Sequence, residues 1–230
     1  MNPSTIETKL RNHSKRQELL SHSFFRHLET ADVSRDLAAG FVGQWWHPLH
    51  YFPTFLARVI AASDSVTTKA ATSRILFQEL GEGSPARAHE RIYLDTMTGA
   101  GFTEKEIARA RPEPATAALV DGYAESSKAE LTGLGFLYAT EVADLVMVSG
   151  IGTAVRRAVG PVDLPWVDIH VQQEPAHVQE ADAALAPAFT KTQAEEIITT
   201  AERAWELWIG FFDTLYGQAT GGLAARQKMA

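Results

Sequence analysis

The chain has 230 residues, 45% of them hydrophobic and 21% charged, with a net charge of −7 and no cysteine. Its length suits one sizeable core or two small domains. The acidic balance, without a basic cluster interleaved with aromatics, counts against a nucleic-acid partner, and the missing thiols exclude disulfides, Fe–S clusters, thiolate zinc sites and Cys nucleophiles.

Met1 to Glu7 lacks the apolar core of a signal peptide, and Glu141 and Asp144 interrupt the one long apolar stretch. The chain therefore reads as soluble, cytoplasmic and free of a membrane partner. Val, Ile and Thr do not gather into alternating runs, while Ala, Leu, Glu and Arg dominate, so nearly every element reads as helix.

In chain order, residues 5–28 form a helix carrying Leu19, Leu20, Phe24 and Phe25. Ser34 caps a long helix to about Ala62, which Pro48 should kink. A third helix runs from about Ser65 to Leu80. The run Gly81-Glu-Gly-Ser-Pro85 breaks the chain, and a helix capped by Ser84 starts at Pro85 and ends at Gly99-Ala-Gly101. Thr103-Glu-Lys-Glu106 has the form of a capping box opening a short helix. One or two helices fill Pro114 to Val159, and Gly133 to Val155 is apolar almost all round, as in a helix buried within a bundle. Gly160-Pro161 ends that segment, and Leu164-Pro165 opens a helix that fades near Pro187. A last helix, about Thr192 to Tyr216, carries Trp205, Trp208, Phe211 and Phe212. Residues 217–230 read as a flexible tail and 1–17 as an N-terminal extension, leaving one all-α domain over 18–216.

Several polar residues fall where apolar ones are expected. His170, Glu174 and His177 sit at i, i+4 and i+7, within about 60° of one another on a helix. Val167, Ala181 and Leu185 share that arc, so the triad points toward a core. Two imidazoles and a carboxylate on one face suit a first-row metal, and a metal offsets the cost of burying them. On its helix Glu141 lies within about 40° of Leu134, Leu137, Leu145 and Val148. A hydrogen bond or ion pair to Arg or Tyr would also account for it. Glu79 and His89 flank the Gly81–Pro85 break, and either alone reads more readily as a solvated helix end or a surface histidine than as a ligand. Taken together, three carboxylates and three imidazoles exceed what one open metal site needs and suit two ions. Three Glu against two divalent ions leave a net +1. A ferritin-like centre would repeat Glu-x-x-His, and here only Glu174-Pro-Ala-His177 fits.

The order Glu79, His89, Glu141, His170-x-x-x-Glu174-x-x-His177 resembles the heme-oxygenase-like diiron oxidases and oxygenases, relatives of thiaminase-II and pyrroloquinoline-quinone-synthase proteins. Ser23-Phe-Phe-Arg-His-Leu28 and the stretch Gly43 to Leu56 are similar to that family's first two helices. The resemblance covers about residues 18–215. It implies a bundle of seven to eight helices, commonly a homodimer, using two Fe(II) or Mn(II) ions and O₂. An amine-, amino-acid- or carboxylate-bearing metabolite would be N-oxygenated or oxidatively cleaved, in natural-product biosynthesis, with an external electron donor. On this expectation Glu79, His89 and His177 hold one ion and Glu141, His170 and Glu174 the other, with Glu79 or Glu141 bridging. Some members add a ligand from the long early helix, where this chain offers His47 and His50. Substrate would lie against Gln44, His47, Tyr51 and Tyr138, walled by Trp45, Trp46, Trp205 and Trp208. Pro175 would loosen the ligand helix beside the metals.

Two other readings remain. A cofactorless oxidase of the quinone-synthase kind would need no carboxylate cluster, and a thiaminase-II activity would need a Cys. A non-catalytic helical interaction module would pair Glu141 with an Arg and turn the histidines to solvent.

Overall fold

The structure is a computed structural model that describes residues 3–227, with side chains described over 6–221. No strand occurs among the described residues. The chain order is α1 (Pro3–Arg11), α2 (Ser14–Leu20), α3 (Ser23–Thr30), α4 (Arg35–Ala62), α5 (Val66–Glu79), a 3₁₀ turn (Pro85–Arg87), α6 (His89–Gly99), α7 (Glu104–Ala108), α8 (Pro114–Ser126), α9 (Glu130–Glu141), α10 (Asp144–Val159), α11 (Pro165–Ala184) and α12 (Lys191–Gln227).

Many boundaries follow local chemistry. Ser34 and Ser65 accept from the backbone N–H of Leu37 and Thr68, capping α4 and α5. Thr103 and Glu106 form the expected capping box of α7. The helix expected over 5–28 is instead three, because His13 and His22 act as N-caps through their ring Nδ1 and restart the chain. Histidine is an uncommon cap, so this break carries little sequence signal. α4 runs through both Pro48 and Pro53 without interruption.

Three further boundaries differ from expectation, and two shape the site. Ser84 makes no side-chain cap and Pro85 opens only a 3₁₀ turn, so α6 starts at His89 itself. The apolar stretch across 133–155 is two helices bent by 47° at Val142–Ala143. No Gly or Pro marks this break. Arg16 stabilises it from α2, its Nε and Nη2 donating to the Val142 carbonyl at 3.1 and 2.8 Å. Glu141 is thus the last residue of α9, and Leu145, expected on its buried face, is 39% exposed. Finally, α12 continues past Tyr216 to Gln227, so the expected tail begins in helix, while residues 228–230 lie outside the described residues.

The core runs along α12. Trp205 and Phe211 are fully buried, and the Trp205 indole N–H donates to the Ala139 carbonyl of α9 at 2.9 Å. The two helices approach closely because Gly135 has no side chain; a Cβ there would overlap the Ile197 carbonyl. Ile6 and Leu10 of α1 are also fully buried, so the segment expected as an extension packs on the bundle. No single described helix is long and apolar enough to cross a membrane.

Candidate metal centre

The Gly81–Pro85 break folds α6 back beside the end of α5. Gly81, Glu82 and Gly83 all adopt positive φ, and a Cβ on Gly81 would meet the Ser84 carbonyl and, at 2.5 Å, the Ala88 nitrogen. This tight reversal sets His89 Nδ1 3.0 Å from Glu79 Oε1. α11 passes alongside, its His170 ring centred 4.8 Å from that of His89. Farther along α11, His177 Nδ1 lies 3.4 Å from Glu141 Oε2 at the end of α9 and 4.0 Å from Glu79 Oε1.

All six sequence-predicted ligands converge, and each is at most 5% exposed. They form two adjoining triads, Glu79–His89–His170 and Glu141–Glu174–His177, with ligand atoms in each within 4.8 Å of one another. The expected division exchanged the two histidines. His170 belongs with Glu79 and His89 because the α5–α6 corner packs on the first half of α11, whereas His177, two turns on, reaches the end of α9.

No Lys or Arg pairs with Glu79, Glu141 or Glu174 among the described residues. Glu141 Oε1, both Glu174 oxygens, His89 Nδ1 and His177 Nε2 are buried without a hydrogen-bond partner. Such orphaned groups are costly unless something charged joins them. Two divalent cations fit this donor set, imidazole nitrogen and carboxylate oxygen in equal number. The outer bonds already aim the lone pairs inward. His170 Nδ1–H donates to the Trp166 carbonyl at 2.7 Å, freeing Nε2, and His89 Nε2–H donates to Gln173 Oε1 at 2.9 Å, freeing Nδ1. Gln173 carried no distinguishing sequence signal.

The electrostatics record the crowding. Burial opposes the Glu79 charge, but His89, His177 and His170 outweigh it and hold the carboxyl at about 2. Burial, with the neighbouring His89, depresses His170 to about 4. Burial also opposes charge on His177, yet Glu141 and Glu79 raise it to about 9. Desolvation raises both Glu141 and Glu174, and for Glu174 the Asp144 and Glu141 carboxyls add to the effect. Asp144, read from sequence as an interruption of an apolar run and as standing where a second Glu-x-x-His would have its histidine, therefore belongs to this cluster.

A small cavity of about 30 Å³, room for one or two waters, adjoins both triads. Trp45, Pro48, Leu49 and Phe52 of α4 line it, with Tyr123, Thr140 and Trp208. None of the expected pocket residues Gln44, His47, Tyr51 and Tyr138 lines it. On α4 the positions 45, 48, 49 and 52 share one face, and 44, 47 and 51 lie about 90–150° from its centre. Gln44 instead ties the α7–α8 connection, accepting from Glu113 N and Thr116 Oγ1 and donating to the Arg111 carbonyl. His47 bonds the Ala110 carbonyl, Tyr51 accepts from Arg58, and Tyr138 donates to Asp182. His50 pairs with Glu90, so neither early-helix histidine faces the triads. Of the four expected tryptophan walls, Trp45 and Trp208 line the cavity, while Trp46 stacks on His50 and Trp205 is tied to the Ala139 carbonyl away from it.

A family model described as an iron-containing redox enzyme matches residues 39–209. No curated protein matches the chain. Among solved structures, a domain of unknown function with a heme oxygenase-like fold from Shewanella denitrificans is similar at 16% identity, covering 95% of this chain and 93% of its own, with a TM-score of 0.76. A CADD-like protein of unknown function from Nostoc punctiforme is similar at 13% identity, 95% and 94% coverage, and a TM-score of 0.75. A TenA homologue from Pseudomonas syringae is similar at 14% identity, 94% and 96% coverage, and a TM-score of 0.71. These likenesses establish the heme-oxygenase-like fold.

Proposed function

The chain belongs to the iron-containing redox enzyme family, and from that premise we propose that it binds two iron(II) ions and uses O₂ to oxidise a small, largely apolar metabolite. Glu79, His89 and His170 hold one ion, and Glu141, Glu174 and His177 the other. The observation that carries this reading is the pair of adjoining, fully buried triads whose carboxylates have no Lys or Arg counter-ion. Iron supplies the electrons and open coordination positions that dioxygen chemistry requires.

The remaining work falls to the chain. The Trp166 carbonyl and Gln173 fix the His170 and His89 rings, so that their free nitrogens are held ready before metal arrives. Trp45, Leu49, Phe52 and Trp208 keep bulk water off the centre. Tyr123 and Thr140 hydroxyls satisfy each other at 2.9 Å, which leaves the buried, unpartnered Nε1–H groups of Trp45 and Trp208 as the wall's donors. This favours a substrate with an acceptor such as a carboxylate, its body lying among aromatic rings. The cavity is too small for such a molecule as it stands, so the α4 wall moves on binding. N-oxygenation and oxidative cleavage both lie within this reading, and an external donor returns the iron to its ferrous state.

Anaerobic iron(II) titration tests it. Wild-type protein should take up two equivalents per chain, and the His170→Ala/His177→Ala variant should lose both. Tight binding unaffected by those changes would sink the proposal.

A further inference from the structure

Asp144 opens α10, three residues after Glu141 and just past the bend at Val142–Ala143. The bend matters, because it turns the first residue of α10 back toward the triads. Asp144 lines the same cavity as Glu79, Glu141, His170 and His177. As a residue it is half-buried, yet its Oδ2 is closed off from solvent and has no hydrogen-bond partner. Its carboxyl lies against that of Glu174, close enough for one proton to bond the two, and apart from each other neither Asp144 Oδ2 nor the Glu174 oxygens have a hydrogen-bond partner. A proton shared with Glu174 favours its charged form first, then His177 and His89, and no Lys or Arg forms an ion pair with it among the described residues. Two orphaned carboxyls facing each other in a buried site repel unless a cation or a proton stands between them.

Building on the two-metal reading, we propose that Asp144 is a fourth metal-facing carboxylate, acting with Glu141, Glu174 and His177 on the second ion. Charge supports it. Three glutamates against two divalent ions leave a net +1, and a fourth carboxylate brings the buried centre to neutrality. It also gives the two sites different characters: one carboxylate and two imidazoles at the first, three carboxylates and one imidazole at the second. The second site is then the harder of the two and the one more dependent on Asp144. The competing role is purely structural. An acidic residue in a helix's first turn favours the helix dipole, with no part in metal binding.

Manganese(II) titration, read by the EPR signal of the unbound ion, separates these roles without any activity assay. Wild-type protein should bind two equivalents. Asp144→Asn should keep one site at wild-type affinity and weaken the other at least tenfold, while Asp144→Glu, which keeps the charge, should recover part of the loss. The melting temperature of each metal-free variant checks folding, and Asp144→Glu serves alone if Asp144→Asn does not fold. In that case Asp144→Glu should alter one site only. The inference is overturned if the variant that folds binds both ions as wild type does, or if both sites weaken together in step with a lowered metal-free melting temperature. Wild-type protein that binds no metal overturns the two-metal reading as well, whereas two wild-type sites indifferent to residue 144 overturn this inference alone.

Discussion

At the scale of single residues, the centre is a set of buried groups whose protons and partners are in competition. Glu174 and His177 are both pushed upward, Glu174 by burial beside Asp144 and Glu141, and His177, against its burial, by Glu141 and Glu79. A group with a raised pKa holds its proton below that value, and a metal must displace the proton to bind. Affinity should therefore rise with pH through the neutral range, by about tenfold per unit for each proton released. For His177 the gain should stop near its value of about 9. Manganese(II) titrations at pH 6, 7, 8 and 9 check this, and a flat profile would contradict it. The six candidate ligand residues were legible in the sequence because ionisable side chains stood on apolar faces or beside a tight break. Gln173 and Asp144 were not: glutamine is ordinary on a helix surface, and Asp144 opens α10 only because of a bend that no local signal marks.

At the scale of elements, two reversals build the site. One is the α5–α6 corner, signalled by Gly81-Glu-Gly-Ser-Pro85. The other is the α9–α10 bend, which Arg16 holds from a distance of 126 residues along the chain. The first was readable because glycine and proline punctuate a chain locally. The second was hidden, since its stabilising donor comes from α2. Gly81 offers a direct test. Alanine there must adopt φ +81 and seat a Cβ against the Ser84 carbonyl and the Ala88 nitrogen. Gly81→Ala should cost about 1–3 kcal/mol in urea denaturation of the metal-free protein, because such strain is paid by the whole fold. It should also weaken the Glu79/His89/His170 site more than the other, since it disturbs the turn that pairs Glu79 with His89. Unchanged stability would show that the turn relaxes freely.

At the scale of the whole molecule, the bundle stands on the packing of α9 and α8 around α12, and the candidate metal centre occupies its interior rather than its surface. Metal bound only to the native state should stabilise all of it. At a free ion concentration a hundredfold above Kd the gain is about 2.7 kcal/mol per site, which for a domain of this size raises Tm by about 5–11 °C. Differential scanning calorimetry with and without manganese(II) should show that rise in wild-type protein and none in His170→Ala/His177→Ala. The sequence by itself determined the all-α class, most helix starts, and the grouping of His170, Glu174 and His177, because helical periodicity fixes angles between residues of one element. Tertiary structure alone decided which histidine joins which glutamate, which face of α4 meets the centre, and that Asp144 joins the cluster. Those outcomes depend on how helices cross and where one bends, and these are set by close packing among residues far apart in the chain.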